Sequence, residues 1–311
     1  MSDALLELRQ ISRSFGGGRN PLDQRHVIAL KDFSLVIDAH QPSITAIVGE
    51  SGSGKTTMAR IALGLDTPTS GQVLYEGKDL RKLSGHEWKE YRRGVQAILQ
   101  DPFGVYNSFY KVDHVLTTPL KKFGLAHSDE QAGTLIEQAL LAVGLVPDDT
   151  LGRYPHQLSG GQRQRVMVAR TLLLHPRVIV ADEPVSMIDA SLRATVLGNL
   201  LQLKEHYGIS LIYITHDLTT AYQISDRIIV LYHGEVVESG TPEEVIEHPK
   251  HPYTRLLIES IPEPDPDHAW GDGQDLPGLE EDDEEVTQAL ISGKPLTRAT
   301  DAEHNSANLS R

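Results

Sequence analysis

The chain has 311 residues, which is enough to bury a full hydrophobic core. Its 43 acidic residues outnumber its 29 basic ones, and the formal net charge of -14 argues against a general nucleic-acid binder, because such a protein needs cations to replace phosphate counterions. The absence of cysteine excludes disulfides, thiolate catalysis and cysteine-ligated clusters.

Two features of the sequence predict the cellular location of the protein. No stretch approaches the roughly 20 apolar residues that cross a bilayer, and residues 1–4 lack a charged and then apolar export signal. We therefore expect the chain to stay in the cytosol.

Taken in chain order, the first predicted elements are strands. Residues 33–37 alternate in polarity, which suggests a small antiparallel sheet. Three later runs are rich in β-branched residues and are typical of buried parallel strands: residues 44–48, 178–180 and 210–214. Between residues 191 and 208, apolar side chains recur at helical spacing. This order of strand, helix and strand predicts an α/β core.

Two further regions differ in pattern. From about residue 101 to 175 the pattern is helical, and the predicted helices include residues 130–143 and 160–174. After residue 261, prolines alternate with acids and a run of acids follows, which is typical of a solvated or flexible tail. We assign the tail no chemistry, and we predict one domain at residues 1–261 and an acidic extension at residues 262–311.

A glycine-rich loop follows the predicted strand that ends at Val48. The loop consists of Gly49, Glu50, Ser51, Gly52, Ser53, Gly54, Lys55 and Thr56, and Thr57 opens the predicted helix after it. Its glycines allow backbone amides and the helix N-terminus to approach a polyphosphate. Lys55 can neutralise charge between the β- and γ-phosphates, and the hydroxyl of Thr56 can bind Mg²⁺. The sequence therefore predicts a nucleotide site.

Three further polar side chains can contribute to such a site. Asp182 ends a buried strand, where a carboxylate can hold Mg²⁺ through its water shell. His216 follows residues 212–215, and the amide of Gln100 can contact water, phosphate or Mg²⁺. Taken alone, each residue also has an ordinary interpretation, as a strand-end acid, a structural histidine or a solvated glutamine.

A second glycine-rich turn lies between the loop at residues 49–56, the phosphate loop, and Asp182. It consists of Leu158, Ser159, Gly160, Gly161 and Gln162, and a predicted helix follows it. The serine hydroxyl and the glycine amides therefore lie at the positive end of a helix, which favours an anion. A simple N-capped helix is the alternative interpretation.

Together these motifs resemble the ATP-binding cassette family, from about residue 5 to about residue 261. Three segments are similar to the ATPase subunits of oligopeptide and dipeptide importers, whose relatives also import nickel or oligosaccharides: residues 100–103, 154–157 and 251–257. The chain departs from that pattern in two ways. It lacks the cysteine-rich C-terminal motif of some peptide-importer ATPases, and Ser-Met-Ile-Asp at residues 186–189 replaces the commoner Ser-Ala-Leu-Asp.

The resemblance implies an α/β fold and an activity. The fold is a P-loop NTPase cassette with a RecA-like parallel-sheet core, a small antiparallel β subdomain and an α-helical subdomain at about residues 101–175. The activity is ATP hydrolysis coupled to transport across a membrane, with ATP and Mg²⁺ as cofactors.

The resemblance also implies roles for single residues. Glu183 resembles the catalytic carboxylate that orients the attacking water, and His216 resembles the histidine that contacts the γ-phosphate. Gln100 resembles the Q-loop residue, which senses the γ-phosphate near Mg²⁺. In a head-to-tail dimer, Ser159 and its turn would reach the nucleotide of a partner subunit, and Asp189 matches the D-loop that crosses the same interface.

Aromatic residues carry two further predictions. Phe15 can stack on adenine, although it can also pack on the small sheet, and His26 is a weaker candidate for stacking. Residues 103–110 follow the Q-loop and are the candidate docking segment for the cytoplasmic helix of a membrane partner. The aromatic side chains of this segment are alternatively core residues: Phe103, Tyr106, Phe109 and Tyr110.

The implied assembly contains several partners. We expect a second cassette subunit, either a different chain or a second copy, two transmembrane permease subunits and, indirectly, an extracytoplasmic substrate-binding protein. The chain would lie on the cytoplasmic face of the membrane. Residues 251–257 favour uptake over export, with peptide as the first choice of cargo and oligosaccharide as the second.

Two other classes of protein fit the sequence less well. A chromosome-maintenance or repair ATPase places a long coiled coil between its nucleotide motifs, whereas no sustained heptad run lies between Lys55 and Ser159. A hydrolysis-dead regulatory module is disfavoured because Glu183 and His216 are both present.

Overall fold

The computed structural model describes residues 3–16, 27–99, 106–186 and 190–260, with the backbone alone at residues 190–192. Contacts divide the chain into two compact units, Met1–His248 and Pro249–Arg311.

The first unit contains a small antiparallel sheet. Its strands are β1 (Ala4–Phe15), β2 (Val27–Asp38), β4 (Ser70–Tyr75) and β5 (Lys78–Asp79), in the order β2-β1-β4-β5. Alternate side chains of β2, such as Phe33, Leu35 and Ile37, are buried while their neighbours stay exposed or half-buried, which is the pattern of a sheet with one covered face. The predicted antiparallel sheet is therefore confirmed.

A larger sheet forms the core of the same unit. Its strands are β3 (Ile44–Val48), β6 (Val95–Ile98), β7 (Val178–Asp182), β8 (Ser210–Thr215), β9 (Arg227–Tyr232) and β10 (Glu235–Gly240). The strand order is β10-β9-β3-β8-β7-β6, and every neighbouring pair is parallel except β10 with β9. All residues of β3 and β8 are buried, because helices or sheet cover both faces. The predicted parallel core is confirmed, and the antiparallel edge strand β10 is an addition to it.

Nine helices of the first unit lie within the described residues. They are α1 (Lys55–Ala62), α2 (Gly85–Gly94), α3 (Asp113–Phe123), α4 (Asp129–Ala142), α5 (Pro147–Thr150), α6 (Gly160–Leu172), α7 (Ala190–Glu205), α8 (Leu218–Ile224) and α9 (Pro242–Ile246). The helices α3 to α6 occupy the region that the sequence predicts as helical, and α3 and α4 both pack against α6.

The main hydrophobic core lies between the two sheets. It joins Leu6 and Phe33 of the antiparallel sheet to Ile214 of the parallel sheet, with Met58 and Ile61 of α1 in the same cluster. Each of these side chains has no exposed surface. The core therefore fixes α1, and with it the loop that precedes this helix, against both sheets.

In the second unit the described residues form the helix α10 (Pro252–Glu259). Its first turn is capped by His251, whose Nδ1 accepts a hydrogen bond from the amide of Tyr253 at 3.2 Å. The predicted domain boundary at residue 261 falls where the described range ends and stays a prediction. Across the described part of the chain, the helices are too short or too polar to cross a bilayer.

Candidate functional site

Neighbouring parallel strands bring the predicted site residues to one edge of the core sheet. Val48, at the end of β3, pairs with Thr215 at the end of β8, and Asp182 at the end of β7 pairs with Ile214. The carboxyl ends of parallel strands therefore place the phosphate loop (residues 49–56), Asp182 and the segment after Thr215 side by side.

The backbone of the phosphate loop has conformations that require glycine. Gly54 has a φ of 108°, and a Cβ atom there would lie 2.3 Å from the carbonyl oxygen of Ala29. A Cβ atom on Gly49 would lie 2.2 Å from the carbonyl oxygen of Leu231. Heavy atoms cannot approach so closely, and these glycines therefore let the loop pack against its neighbours.

Lys55 spans the inside of this loop. Its Nζ donates hydrogen bonds to the carbonyl oxygens of Gly49 and Glu50, both at 2.6 Å, and to Ser53 Oγ at 3.4 Å. Burial lowers the pKa of the Lys55 ammonium, and the charges of Glu183, Asp182 and Glu50 oppose this shift. The loop therefore holds a buried ammonium group whose donors can turn toward an anion.

The helix after the loop adds further donors. Lys55, Thr56 and Thr57 are the first residues of α1, and the first amides of a helix have no acceptor within that helix. Thr56 is exposed and Thr57 is half-buried, so the threonine hydroxyls are accessible at the positive end of α1. Together, the loop and the helix end form an anion site.

A residue that the sequence did not single out braces this loop. The amide of Gly234, in the turn between β9 and β10, donates to the carbonyl oxygen of Ser53 at 2.9 Å. The carbonyl oxygen of Gly234 accepts from the amide of Lys31 on β2, also at 2.9 Å. One residue thus ties the phosphate loop to the antiparallel sheet. The sequence signals a turn at Gly234, but its partners lie too far along the chain to be inferred.

Asp182 is half-buried beside this anion site. Burial and then the neighbouring charge of Glu183 raise the pKa of the Asp182 carboxyl, and Lys55 opposes the rise. A cation near Asp182 would offset that unfavourable environment. Among the described residues no three His, Cys, Asp or Glu side chains gather into a metal cluster. A single carboxylate can contribute to a Mg²⁺ site, because Mg²⁺ usually takes one or two carboxylates and completes its shell with phosphate oxygens and water.

Hydrogen bonds to both its amide and its carbonyl oxygen fix the backbone of Glu183. Its amide donates to the carbonyl oxygen of Ile214 at 2.9 Å, and its own carbonyl oxygen accepts from the amide of Ser186 at 3.2 Å and from Ser186 Oγ at 3.0 Å. Its φ of 45° is uncommon for a residue other than glycine. Such strain persists where the surroundings impose it, and it is frequent at functional sites.

The side chains of Glu183 and His216 contact each other. Glu183 Oε1 lies 3.0 Å from His216 Nδ1, with 17% of the Glu183 side chain and 60% of the His216 side chain exposed. The structure therefore brings together four of the predicted residues, Lys55, Asp182, Glu183 and His216, around the phosphate loop. A carboxylate there can orient a water molecule toward a bound phosphate.

The second glycine-rich turn, residues 159–162 and here termed the signature turn, begins a helix with an exposed Ser159 and three half-buried residues after it. Ser159 Oγ accepts from the amide of Gln162 at 3.2 Å, and Gln162 Oε1 accepts from the amide of Ser159 at 2.9 Å, which is a capping box. Ser159 is exposed, and a Cβ atom on Gly160 would meet no described atom within 4 Å. The N-capped helix is thus observed, and its open face leaves the amides accessible.

Several predicted residues are not described within this site. Gln100, Phe103, Asp189 and His26 are outside the described residues. Phe15 is 43% exposed at the end of β1, and the guanidinium of Arg13 lies 4.6 Å from its ring centroid.

In the predicted docking segment, the hydroxyl of Tyr106 donates to the carbonyl oxygen of Arg163 at 2.8 Å, so this residue packs against α6. Phe109 is 90% exposed, and Tyr110 is about half exposed and stacks on His114. Tyr106 is therefore half-buried against α6, whereas Phe109 is not a core residue.

Comparison with known families identifies the chain. Residues 30–186 match the family model for ABC transporters, and residues 237–297 match the model for the C-terminal region of oligopeptide/dipeptide transporters. The chain belongs to the ABC transporter family. The cassette therefore binds nucleotide and is an ATPase, as the sequence predicts.

Similar curated proteins agree with this assignment. The oligopeptide transport ATP-binding protein OppF of Salmonella typhimurium is 44% identical over 233 residues, which cover 75% of this chain and 70% of OppF. The dipeptide transport ATP-binding protein DppF of Lactococcus lactis is 40% identical over 264 residues, which cover 84% of this chain and 82% of DppF.

Solved structures confirm the predicted cassette fold. The ATP-binding cassette MJ0796, in a dimeric post-hydrolysis state bound to ADP and Pi, superposes with a TM-score of 0.66 at 28% identity, over 76% of this chain and 98% of that one. The cbiO1 subunit from Clostridium perfringens, part of the ABC transporter complex cbiONQ, gives a TM-score of 0.67 at 25% identity, over 79% of this chain and 92% of that one.

Proposed function

We propose that this chain is the ATP-hydrolysing subunit of a membrane importer for oligopeptides or dipeptides. The 3.0 Å contact between Glu183 Oε1 and His216 Nδ1, at the sheet edge that holds Lys55, carries the hydrolytic part of the proposal. The match of residues 237–297 and the names of the OppF and DppF relatives favour peptide over the oligosaccharide alternative.

The residues of this chain would act mainly by positioning and by charge stabilisation. The loop amides and Lys55 hold the β- and γ-phosphates. Glu183 orients and polarises the attacking water, while His216 holds the Glu183 side chain and contacts the γ-phosphate. Phe15, still partly exposed, stacks on adenine.

The residues at the sheet edge also suit Mg²⁺. The Thr56 hydroxyl and the Asp182 carboxylate would hold the ion, partly through water, and Gln100 is the further ligand that the sequence predicts. When bound, Mg²⁺ would neutralise charge on the phosphate oxygens. The raised pKa of Asp182 supports this assignment, because burial and the charge of Glu183 disfavour the ionised carboxylate more than Lys55 favours it, and a bound cation would offset both.

Each nucleotide would lie between two cassettes that meet head to tail. The phosphate loop of one subunit holds the nucleotide, and Ser159, Gly160, Gly161 and Gln162 of the other close over its γ-phosphate, with Asp189 at the same interface. The open helix end at Gly160 supports this arrangement. The second cassette is a different chain or a second copy. ATP can shift the pair toward closure only by binding the closed state more tightly than the open one.

Closure would move two transmembrane permease subunits that receive cargo from an extracytoplasmic binding protein. This chain would lie on the cytoplasmic face of the membrane and dock through residues 103–110. The exposed Phe109 supports that surface, because a single large apolar side chain on a loop gains burial when a partner helix covers it.

The direct test of hydrolysis is Glu183→Gln in the purified complex, reconstituted into proteoliposomes. We expect ATP binding to be retained and hydrolysis to fall about 10²- to 10⁴-fold, which is the usual contribution of a positioned proton-transfer group. Glu205→Gln makes the same charge change at an exposed position of α7 and should hydrolyse ATP at the wild-type rate. Wild-type hydrolysis by the Glu183→Gln complex would refute the assignment.

The same proteoliposomes test the cargo. Labelled oligopeptide or dipeptide should accumulate only with ATP and only with the wild-type cassette. Accumulation of labelled oligosaccharide without accumulation of peptide would replace the peptide proposal and leave the ATPase assignment in place.

A further inference from the structure

The helix that begins at the signature turn carries one buried amide. Gln164 lies on α6, is 2% exposed, and its Nε2 donates a hydrogen bond of 3.2 Å to the carbonyl oxygen of Pro184. The three residues that precede Gln164 on the helix are half-buried. A buried amide is costly unless it is hydrogen-bonded, and Gln164 therefore holds Pro184 in place.

Pro184 belongs to the turn that presents Glu183, here termed the catalytic turn (residues 183–186). Hydrogen bonds from β8, from α6 and within the turn itself fix its position. β8 holds the amide of Glu183, Ser186 closes the turn on the carbonyl oxygen of Glu183, and Gln164 holds the next carbonyl oxygen, that of Pro184. Because proline has no amide hydrogen, its carbonyl is the backbone group through which Pro184 can be hydrogen-bonded. Gln164 thus ties the catalytic turn to α6.

The same helix begins at the other functional motif. Gln164 lies five residues after Ser159, which is about 7.5 Å along an α-helix. A helix of this length transmits a shift or rotation of its first turn to its second with little deformation. A movement of the signature turn would therefore reach the Pro184 carbonyl through a single side chain.

We propose that Gln164 is a positioning residue that couples the signature turn to the catalytic glutamate of the same chain. The inference rests on the proposed function, in which Ser159 faces the nucleotide of the partner cassette. When the signature turn closes on that nucleotide, α6 and Gln164 set the catalytic turn, and Glu183 reaches its working position. The catalytic turn of this chain thereby responds to the nucleotide that the partner cassette holds.

The chemistry at this position requires a neutral donor of this length. Gln164→Met keeps the length and the apolar stem but removes the donor, and the Pro184 carbonyl is left without this partner. Gln164→Glu keeps the shape but turns an ionised oxygen toward a carbonyl oxygen. Thr171→Val is a matched control, because Thr171 is also fully buried on α6 and its hydroxyl donates within the helix, to the carbonyl oxygen of Met167 at 2.9 Å.

The test compares these variants in the reconstituted complex. We expect Gln164→Met and Gln164→Glu to lower kcat tenfold or more, because a misplacement on the order of 1 Å can cost about 100-fold in rate. The KM for ATP and the binding of a labelled ATP analogue should stay within about twofold of wild type. Thr171→Val should keep the wild-type kcat at a similar melting temperature. An unchanged kcat in both Gln164 variants, or a kcat loss matched by Thr171→Val, would overturn the proposal.

A double-mutant comparison separates coupling from a purely local effect. If Ser159 acts on Glu183 through Gln164, the kcat loss of Ser159→Ala with Gln164→Met will be smaller than the product of the two single losses. Losses that multiply would show that the residues act independently and would overturn the coupling. Failure of the proposed function looks different, since a wild-type complex would then not hydrolyse ATP, or Glu183→Gln would not impair it.

Discussion

The phosphate loop and the signature turn are both glycine-rich starts of helices, but they differ in how closely the rest of the fold surrounds them. The phosphate loop is enclosed, because Gly49 and Gly54 touch neighbouring backbone and Lys55 binds the loop from inside. In the signature turn Ser159 is exposed and residues 160–162 are half-buried, and the hydrogen bonds of Ser159 described above are with Gln162 in its own first turn. Under the proposed function, the first motif is complete within one chain, whereas the second would act on the nucleotide of a partner cassette.

This difference has an energetic meaning. Donors that the fold already holds in place need little ordering when a phosphate arrives, so the phosphate loop can bind nucleotide in a single subunit. The capping box also fixes the signature turn before any partner is present. We therefore predict that substitutions in the first motif abolish nucleotide binding, whereas substitutions in the second lower turnover and leave binding by the single chain intact.

The largest effect is expected at the phosphate loop. Lys55→Met removes the ammonium group but keeps most of the side-chain volume, and we expect affinity for a labelled ATP analogue to fall about 100-fold or more, because a charge-assisted contact with phosphate is lost. Lys31→Met, at an exposed lysine that pairs with Glu235, is the control and should bind the analogue normally. Wild-type affinity in Lys55→Met would contradict the assignment of this loop.

The next effect should be confined to the assembled complex. Ser159→Ala should lower kcat about 10- to 100-fold, because one donor to the phosphate in the partner site is lost, and the isolated chain should bind the analogue as wild type does. Ser128 provides a close control, since its Oγ caps α4 by accepting from the amide of Gln131 at 3.1 Å. Each substitution removes one helix cap that contributes about 1 kcal/mol to stability. Equal activity of the two variants would contradict a role of Ser159 beyond capping its helix.

A smaller effect is expected where the phosphate loop meets the antiparallel sheet. Gly234→Ala places a Cβ atom 2.8 Å from the carbonyl oxygen of Ala29 and shifts the residue that holds Ser53. We expect the KM for ATP to rise roughly tenfold, or about 1.4 kcal/mol. Gly77→Ala has a similar φ, 78° against 83°, but meets no described atom within 4 Å, so it controls for backbone strain. An equal rise in KM in both variants would show that the effect comes from backbone strain and would contradict a role of Gly234 in holding the phosphate loop.

The smallest effect is on stability and depends on pH. The pKa of Asp182 is raised in the folded chain, so the native state holds this proton more tightly than the unfolded state. Ionised Asp182 therefore costs stability at pH 7, and this cost disappears as the pH falls through the raised pKa toward the ordinary value near 4. Asp182→Asn should raise the melting temperature of the nucleotide-free protein by about 2–4 °C at pH 7, with a difference that shrinks near pH 4.

The same substitution should abolish Mg²⁺-dependent hydrolysis, which separates stability from function at this residue. Asp149→Asn, at an exposed position of α5, is the control and should show no such gain of stability at pH 7. A melting temperature of Asp182→Asn that is lower than that of wild type at pH 7 would contradict the raised pKa.

Local patterns in the sequence predict most of the fold and half of the site. The strand before Gly49 and the helices α4 and α6 follow from periodicity, and their observed ends differ from the predicted ones by at most two residues. The phosphate loop is predicted because its chemistry is contiguous in the chain. The edge strand β10 is not predicted from the sequence, because its pairing depends on a turn at Gly234 and not on the hydrophobic pattern.

The contacts that position the site are not readable from the sequence. The hydrogen bond from Gln164 to Pro184 joins residues that are 20 positions apart in the chain. The hydrogen bond from Gly234 to Ser53 joins residues that are much further apart in the sequence. Gln164 would have been expected on a helix surface, because glutamine is mostly exposed. Its burial follows from the packing of α6 against the core, which only the three-dimensional structure provides.

The most direct test is the structure of the Glu183→Gln complex bound to ATP and Mg²⁺. The account predicts each ATP between two cassettes, with Ser159 Oγ of this chain within hydrogen-bond distance of a γ-phosphate oxygen on the nucleotide held by the other subunit. ATP enclosed by the residues of one cassette alone, with Ser159 remote from any phosphate, would contradict it.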